Sequence, residues 1–133
     1  MAALDTNVLV RFLVEDDLAQ LAAAKILFTR CVSAGESLYV PITVTLELEW
    51  VLRANFGFTK TDVIGVLSQL LSTLELTFES EGAVEAAMQQ YANGSADFAD
   101  CLHGALAVNA GEQPLWTFDK AAAKVMGARL LAG

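Results

Sequence analysis

Four acidic side chains carry the chemistry this sequence offers: Asp5, Glu47, Asp100 and Asp119. Asp5 closes a short apolar run at the start of the chain. Asp119 follows a second run ending in Thr117-Phe118, and Asp100 falls in the first turn of a predicted helix after the Asn93-Gly94-Ser95 turn. Taken singly, each Asp has an ordinary role, because Asp accepts hydrogen bonds from the free backbone N–H groups of a helix start and meets the positive end of its dipole. Capping alone does not explain why acids, rather than Ser, Thr or Asn, recur where strands end. In an open α/β sheet those ends share one rim, where ligands collect. Carboxylates gathered there repel one another unless a cation intervenes. Glu47 joins the set through helical spacing: Val44 before it and Val51 after it place it on or beside an apolar face with no basic partner, an expensive position for a lone carboxylate. Glu49, with Arg53 four residues on, reads instead as an exposed ion pair worth only about a few tenths of a kcal/mol.

An all-carboxylate set suits a hard divalent cation. Mg2+ takes oxygen ligands and keeps several of its waters, so a few carboxylates suffice and no histidine is needed. One or two such ions can activate a water and stabilise charge on the leaving oxygen of a phosphodiester. Other nucleophiles are scarce. His103 is the sole histidine, and Leu102 and Ala105 beside it suggest a helix flank. Cys31 and Cys101 stand in apolar helical contexts without zinc spacing and read as buried reduced thiols.

The elements that must position these acids alternate in kind. A buried strand is expected from Ala2 to Asp5, then helical sequence to Val14, a helix over Asp17 to Ser33, a strand over Ser37 to Val40 and a helix over Thr43 to Asn55. Thr59 and Asp62 form a capping-box pair opening a helix to Leu71, followed by a strand over Leu74 to Phe78 and a helix from Ser80 to Tyr91. Asp97 opens a helix that Gly111 ends. Pro114 to Phe118 is a strand, Asp119 to Met126 a short helix, and Arg129 to Leu131 the last strand. Strands separated by helices imply parallel crossovers and a sheet covered on both faces, hence a three-layer α/β fold. At 133 residues and 14.2 kDa the chain is expected to be one domain, residues 1–133.

Composition narrows the setting. The hydrophobic fraction is 55% and the mean hydropathy +0.48, yet charges interrupt every apolar run before the ~18 residues that spanning a bilayer requires. No membrane association is expected, and without a leader-like N-terminus the expected location is the cytoplasm. The formal net charge is −8, from 16 acidic and 8 basic residues, which opposes nucleic-acid binding through phosphates alone. Divalent cations on the acids, or a basic partner, would have to offset it.

Asp5-Thr6-Asn7 after an apolar strand, Glu47 within Thr45-Leu46-Glu47-Leu48-Glu49-Trp50, Asp97-Phe98-Ala99-Asp100 leading into Leu102-His103, and Thr117-Phe118-Asp119 together resemble the PIN domain, especially VapC-type toxins of toxin–antitoxin pairs. The resemblance covers essentially the whole chain, in order and spacing. It implies a Rossmann-like parallel sheet, RNA cleavage dependent on Mg2+ or Mn2+, a homodimer, and inhibition by a small antitoxin protein. It also implies roles: Asp5 and Asp100 as direct metal ligands, Glu47 and Asp119 completing the acidic pocket, Asn7 and Thr117 as polar supports, and Asp97 as an auxiliary acid near a metal-bound water. The apolar excess between Asp17 and Leu71 suggests surfaces covered by a second copy and by the antitoxin, which would reach an acidic pocket with an Arg or Lys. Two rival readings are a non-catalytic binding module on the same fold and an aspartate-based phosphohydrolase. The second needs an acid two residues after its nucleophile, where this chain has Asn7. Trp50, Trp116, Phe28, Phe56 and Phe118 are expected in the core, since aromatic side chains bury large areas.

Overall fold

Short strands alternate with longer helices along the chain, which the computed structural model describes over residues 2–132. The elements group into two units, Met1–Glu79 and Ser80–Gly133.

In the first unit β1 (Ala2–Ala3), β2 (Leu38–Val40) and β3 (Leu76–Phe78) form a parallel sheet in the order β1-β2-β3. Ala2 pairs with Leu38 and Leu38 with Leu76, and the ladder continues past β1, where the Leu4 N–H donates to the Tyr39 carbonyl at 2.8 Å. Parallel neighbours need long crossovers. Helices α1 (Thr6–Val14) and α2 (Leu18–Ser33) make the first, and α3 (Ile42–Phe56) and α4 (Lys60–Leu71) the second. Helix α1 packs on α2 and α3, and α3 on α4. Leu9 and Val10 of α1, Leu48 and Leu52 of α3, Val63 and Leu67 of α4, and Leu38 and Val40 of β2 are almost fully buried. Each contributes about 1.5–3 kcal/mol by leaving water. The expected buried first strand is shorter and exposed at Ala2 and Ala3. Two methyl side chains have little to bury, and burial begins at Leu4, 3% exposed.

In the second unit α5 (Glu81–Asn93) and α6 (Phe98–Ala110) pack together, with the rings of Tyr91 and Phe98 5.5 Å apart. Strand β4 (Leu115–Thr117) pairs in parallel with β5 (Ala128–Leu130). The expected short helix between them is reduced to one 3-10 turn, Ala122–Lys124. A Cβ at Gly104 of α6 would stand 2.8 Å from Val125 Cγ1, so the helix can approach this segment only because residue 104 has no side chain. The α/β class with parallel strands is as the sequence implies, though hydrogen bonding divides the five strands into a three-stranded and a two-stranded sheet. No helix among the described residues is long and apolar enough to cross a membrane.

Three aromatic residues depart from expectation. Trp50, Trp116 and Phe118 are 56%, 52% and 71% exposed, while Phe28 and Phe56 are half-buried. Trp50 directly follows the buried pair Leu48-Glu49, which turns it to the outer side of α3, and Trp116 alternates with the less exposed Leu115 and Thr117 along β4.

Helix α4 begins with a complete capping box. The Asp62 N–H donates to Thr59 Oγ1 at 3.1 Å, and the Thr59 N–H donates to Asp62 Oδ2 at 3.0 Å, holding the Asp62 carboxyl below its usual value. Thr59→Ala removes the cap and should lower stability by about 1 kcal/mol, read as a shift of the urea midpoint with unchanged slope. An unshifted midpoint would show that solvent serves that helix start equally well.

Candidate active site

In the first unit a single residue ties two of the acids together. Asp5 has an extended backbone (φ −81°, ψ 161°) at the cap of α1, and its Oδ1 accepts the Thr6 N–H at 2.7 Å. Thr6 is 2% exposed, and its hydroxyl donates a short hydrogen bond to Glu47 Oε1 on α3. The buried Thr6 therefore orients a carboxylate on either side of it. No role for Thr6 emerges from the sequence alone. The available signal was a hydroxyl side chain at the first helical position, directly after the capping Asp5.

The expected placements of Glu47 and Glu49 are reversed. Glu47 is exposed, whereas Glu49 is 2% exposed and its carboxylate is held by Arg53, through Nε at Oε2 and Nη2 at Oε1, the latter at 3.1 Å. Helix α3 is apolar on several sides, so Val44 and Val51 are poor guides to its inner face. The buried stripe runs through Thr45, Leu48, Glu49 and Leu52. The Glu49–Arg53 pair is thus part of the packing of α3, and Glu47 is the carboxylate open to solvent.

In the second unit the acids belong to α6 and the segment after β4. Asp97 occupies the cap position of α6 (φ −64°, ψ 154°) yet makes no side-chain capping bond. Asp100 stands in the first turn and is partly buried. Asp119 is held from both sides: its N–H donates to Thr117 Oγ1 at 3.1 Å, and its Oδ1 accepts the Ala122 N–H at 2.9 Å. Capping therefore accounts for Asp119 and partly for Asp5, but not for Asp97. Burial, then the negative charges of Asp119 and Asp97, raise the Asp100 carboxyl above the ordinary Asp value of 3.8, with His103 acting in the opposite direction. Asn7 is exposed and lines a cavity of about 310 Å³ with Arg11 of α1 and Gln20 and Leu27 of α2. Cys31 and Cys101 are buried free thiols, and His103 is exposed on α6.

This donor set fits a hard divalent cation. All donors are carboxylate oxygens, and beside the burial that chiefly raises the Asp100 carboxyl, the negative charges of Asp119 and Asp97 are ones a cation would offset. Among the described residues no three Asp, Glu, His or Cys side chains converge into a ready cage. Mg2+ does not require one, because it retains several waters and is commonly held by one or two carboxylates.

Parallel strands with helical crossovers, an Asp capping the first helix after β1, and acids at the start of α6 and after β4 are the features of a PIN domain, and the chain belongs to that family: the PIN domain model matches residues 2–127. Among individual proteins, it is similar to a VapC ribonuclease of Aquifex aeolicus (strain VF5), with 26% identity over 120 residues, covering 90% of this chain and 88% of that protein.

The sign of the Asp100 shift gives a stability test. The folded chain binds this proton more tightly than the unfolded one, so stability falls as pH rises through the window from 3.8 to the raised folded value. The metal-free protein carries that penalty at neutral pH. Asp100→Asn removes the charge, and in EDTA at neutral pH the variant should be more stable than the parent, by a small margin because solvent screens the interaction. The advantage should shrink to nothing as pH falls below 3.8. Urea midpoints of both proteins across that range check the sign, and a variant less stable than the parent at neutral pH would contradict it.

Proposed function

We propose that this chain is a metal-dependent endoribonuclease, the toxin of a toxin–antitoxin pair, working as one PIN domain over residues 1–133 with Asp5, Glu47, Asp100 and Asp119 as its catalytic residues. The observation that carries the reading is the placing of acids at the start of α6: Asp97 at the cap position makes no side-chain capping bond, and Asp100 stands in the first turn with Asp119 and Asp97 both acting on it. The family match spans both units, and the similar Aquifex protein is named as a VapC ribonuclease. The order and spacing of the four motifs support the same reading.

On this reading Asp5 and Asp100 hold the ion. Glu47 is oriented by the Thr6 hydroxyl, and Asp119 by Thr117 and the Ala122 N–H, so neither carboxylate needs to reorganise when substrate arrives. Asp97 and Asn7 are polar supports. Mg2+, or Mn2+ in its place, supplies when bound an activated water and compensation for charge on the leaving oxygen. RNA as substrate accords with a cytoplasmic location. Apolar surface on α2, where Leu18 is 76% and Ile26 60% exposed, supports a homodimer and an antitoxin docking on these helices.

Cleavage of a mixed RNA pool by the purified protein tests the proposal. Cleavage should require Mg2+ or Mn2+ and stop with EDTA. Asp5→Asn and Asp100→Asn should each reduce it by ~100-fold or more, since a lost electrostatic contact to the reacting groups has that scale. Asp97→Asn should retain part of the activity. Thr6→Val should lower turnover through Glu47, and Thr6→Ser should restore it. Full activity of the Asp100→Asn protein at saturating Mg2+ would remove Asp100 from the reaction.

A further inference from the structure

Helix α3, which carries Glu47, begins without a local side-chain cap. Pro41 stands at the cap position and has no side-chain acceptor for the free N–H groups of the first turn, while its carbonyl accepts the N–H of Val44 at 3.0 Å and of Thr45 at 3.1 Å. The N–H of Ile42, the first helical residue, donates instead to Oε1 of Glu79 at 2.9 Å, a residue 37 positions on that directly follows β3. Glu79 is fixed in turn by its own backbone: its N–H donates to the Val40 carbonyl at 3.0 Å and carries the β2–β3 ladder one residue past Phe78. The two bonds span Pro41 and clasp the turn from β2 into α3. Burial, then the charge of Glu79 and a hydrogen bond to it, raise the Tyr39 hydroxyl above its ordinary value, so the hydroxyl keeps its proton and donates it to the same carboxylate.

A cap supplied by another element differs from a local one. Ser, Thr or Asp at position 41 would stabilise the helix start wherever the helix lay. Glu79 serves it only when β3 is in place, so its carboxylate sets the position of the first turn of α3 against the sheet. Its charge also suits the positive end of the helix dipole. Thr45, Leu48 and Leu52 of α3 are fully buried, but apolar burial has no direction and permits small slides and rotations that a hydrogen bond at the helix end resists. Glu47 lies little more than one turn beyond Ile42, and its bond to the Thr6 hydroxyl on α1 depends on direction. A shift of the first turn is therefore felt at Glu47.

We propose that Glu79 is a positioning residue: by capping α3 from the neighbouring strand it holds Glu47 against the Thr6 hydroxyl, at the angle the site requires. The proposal rests on the ribonuclease reading for what Glu47 does, and adds to it a residue outside the four acidic motifs.

Two readouts keep the proposal separate from that reading. The first needs no activity. In EDTA at constant pH, the carboxyl-carbon resonance of Glu47 in isotope-labelled protein reports its hydrogen bond to Thr6; Thr6→Val marks the position of the released carboxylate, and Glu79→Ala should move the resonance most of the way there. The second is cleavage: Glu79→Ala should lower turnover about tenfold with KM changed by less than about twofold, inside the roughly hundredfold that an ångström-scale misplacement costs. Glu79→Gln, whose amide oxygen still accepts the Ile42 N–H, should keep the parental resonance and most of the turnover. Glu79→Asp keeps the charge but draws the oxygen back by one methylene, and should resemble Glu79→Ala. In a Glu47→Ala background Glu79→Ala should cost nothing further, because both changes act on the same group. Circular dichroism melting ensures that the compared variants are folded, and the Gln and Asp variants carry the comparison if Glu79→Ala is not. A variant that melts earlier yet keeps the parental Glu47 resonance and turnover has lost a cap alone, and the positioning role falls. It falls also if Glu79→Asp is parental while Glu79→Gln is impaired, or if the loss of turnover persists in the Glu47→Ala background. If the resonance moves as expected in a protein that cleaves no RNA with Mg2+, the ribonuclease reading falls and the positioning of Glu47 by Glu79 stands.

Discussion

Carboxylates that share a small volume keep their charge only if something cationic or hydrogen-bonding balances it. At the start of α6 the balance is missing: Asp100 is partly buried, Asp119 and Asp97 bear on it, and His103 is the group acting against them. The Asp97 side chain contributes no capping bond to α6, so capping does not account for an acid there. On the proposed reading a divalent cation held by these acids would offset their repulsion. On this account the local stability of α6 and the chemistry of the site oppose each other in the metal-free chain and agree in the metal-bound one.

The surrounding structure holds the acids in place without neutralising them. Thr6 is buried and spends its backbone N–H on Asp5 and its hydroxyl on Glu47. Thr117 accepts the Asp119 N–H, and the Ala122 N–H meets Asp119 Oδ1. Neutral donors of this kind fix direction while leaving the negative charge available. Glu49 is the contrasting case: buried in α3 and matched by Arg53, it is a carboxylate already committed to packing. Adjacent acids on one helix thus have separate fates, decided by which side of α3 each faces.

Much of this was legible in the sequence because the signals were local. The capping box at Thr59 and Asp62, the start of α6 after Asp97 and the alternation of strands with helices depend on neighbouring residues and survive in the structure nearly as read, although the Asp97 side chain makes no capping bond. What was not legible depends on tertiary packing. Helix α3 is apolar on several sides, and no helical wheel distinguishes the Val44–Val51 side from the Thr45–Leu52 side, so Glu47 and Glu49 were exchanged. Thr6 joins Glu47 across forty-one residues of sequence, which spacing cannot reveal. Trp116 and Phe118 looked like core because of their size, whereas both are more than half exposed, one on β4 and the other just after it.

A net charge of −8 would repel RNA, and four of the sixteen acids are those for which a cation is proposed. Cation binding is therefore the central claim. Calorimetric titration of the purified chain with Mn2+ tests it most directly. The account predicts saturable binding to the parent, a loss of at least ~tenfold in affinity in both Asp5→Asn and Asp100→Asn, since even residues supporting a ligand cost that much, and near-parental binding in Asp97→Asn. No binding to the parent, or normal binding to the Asp100→Asn protein with failure of the Asp97→Asn protein, would contradict it.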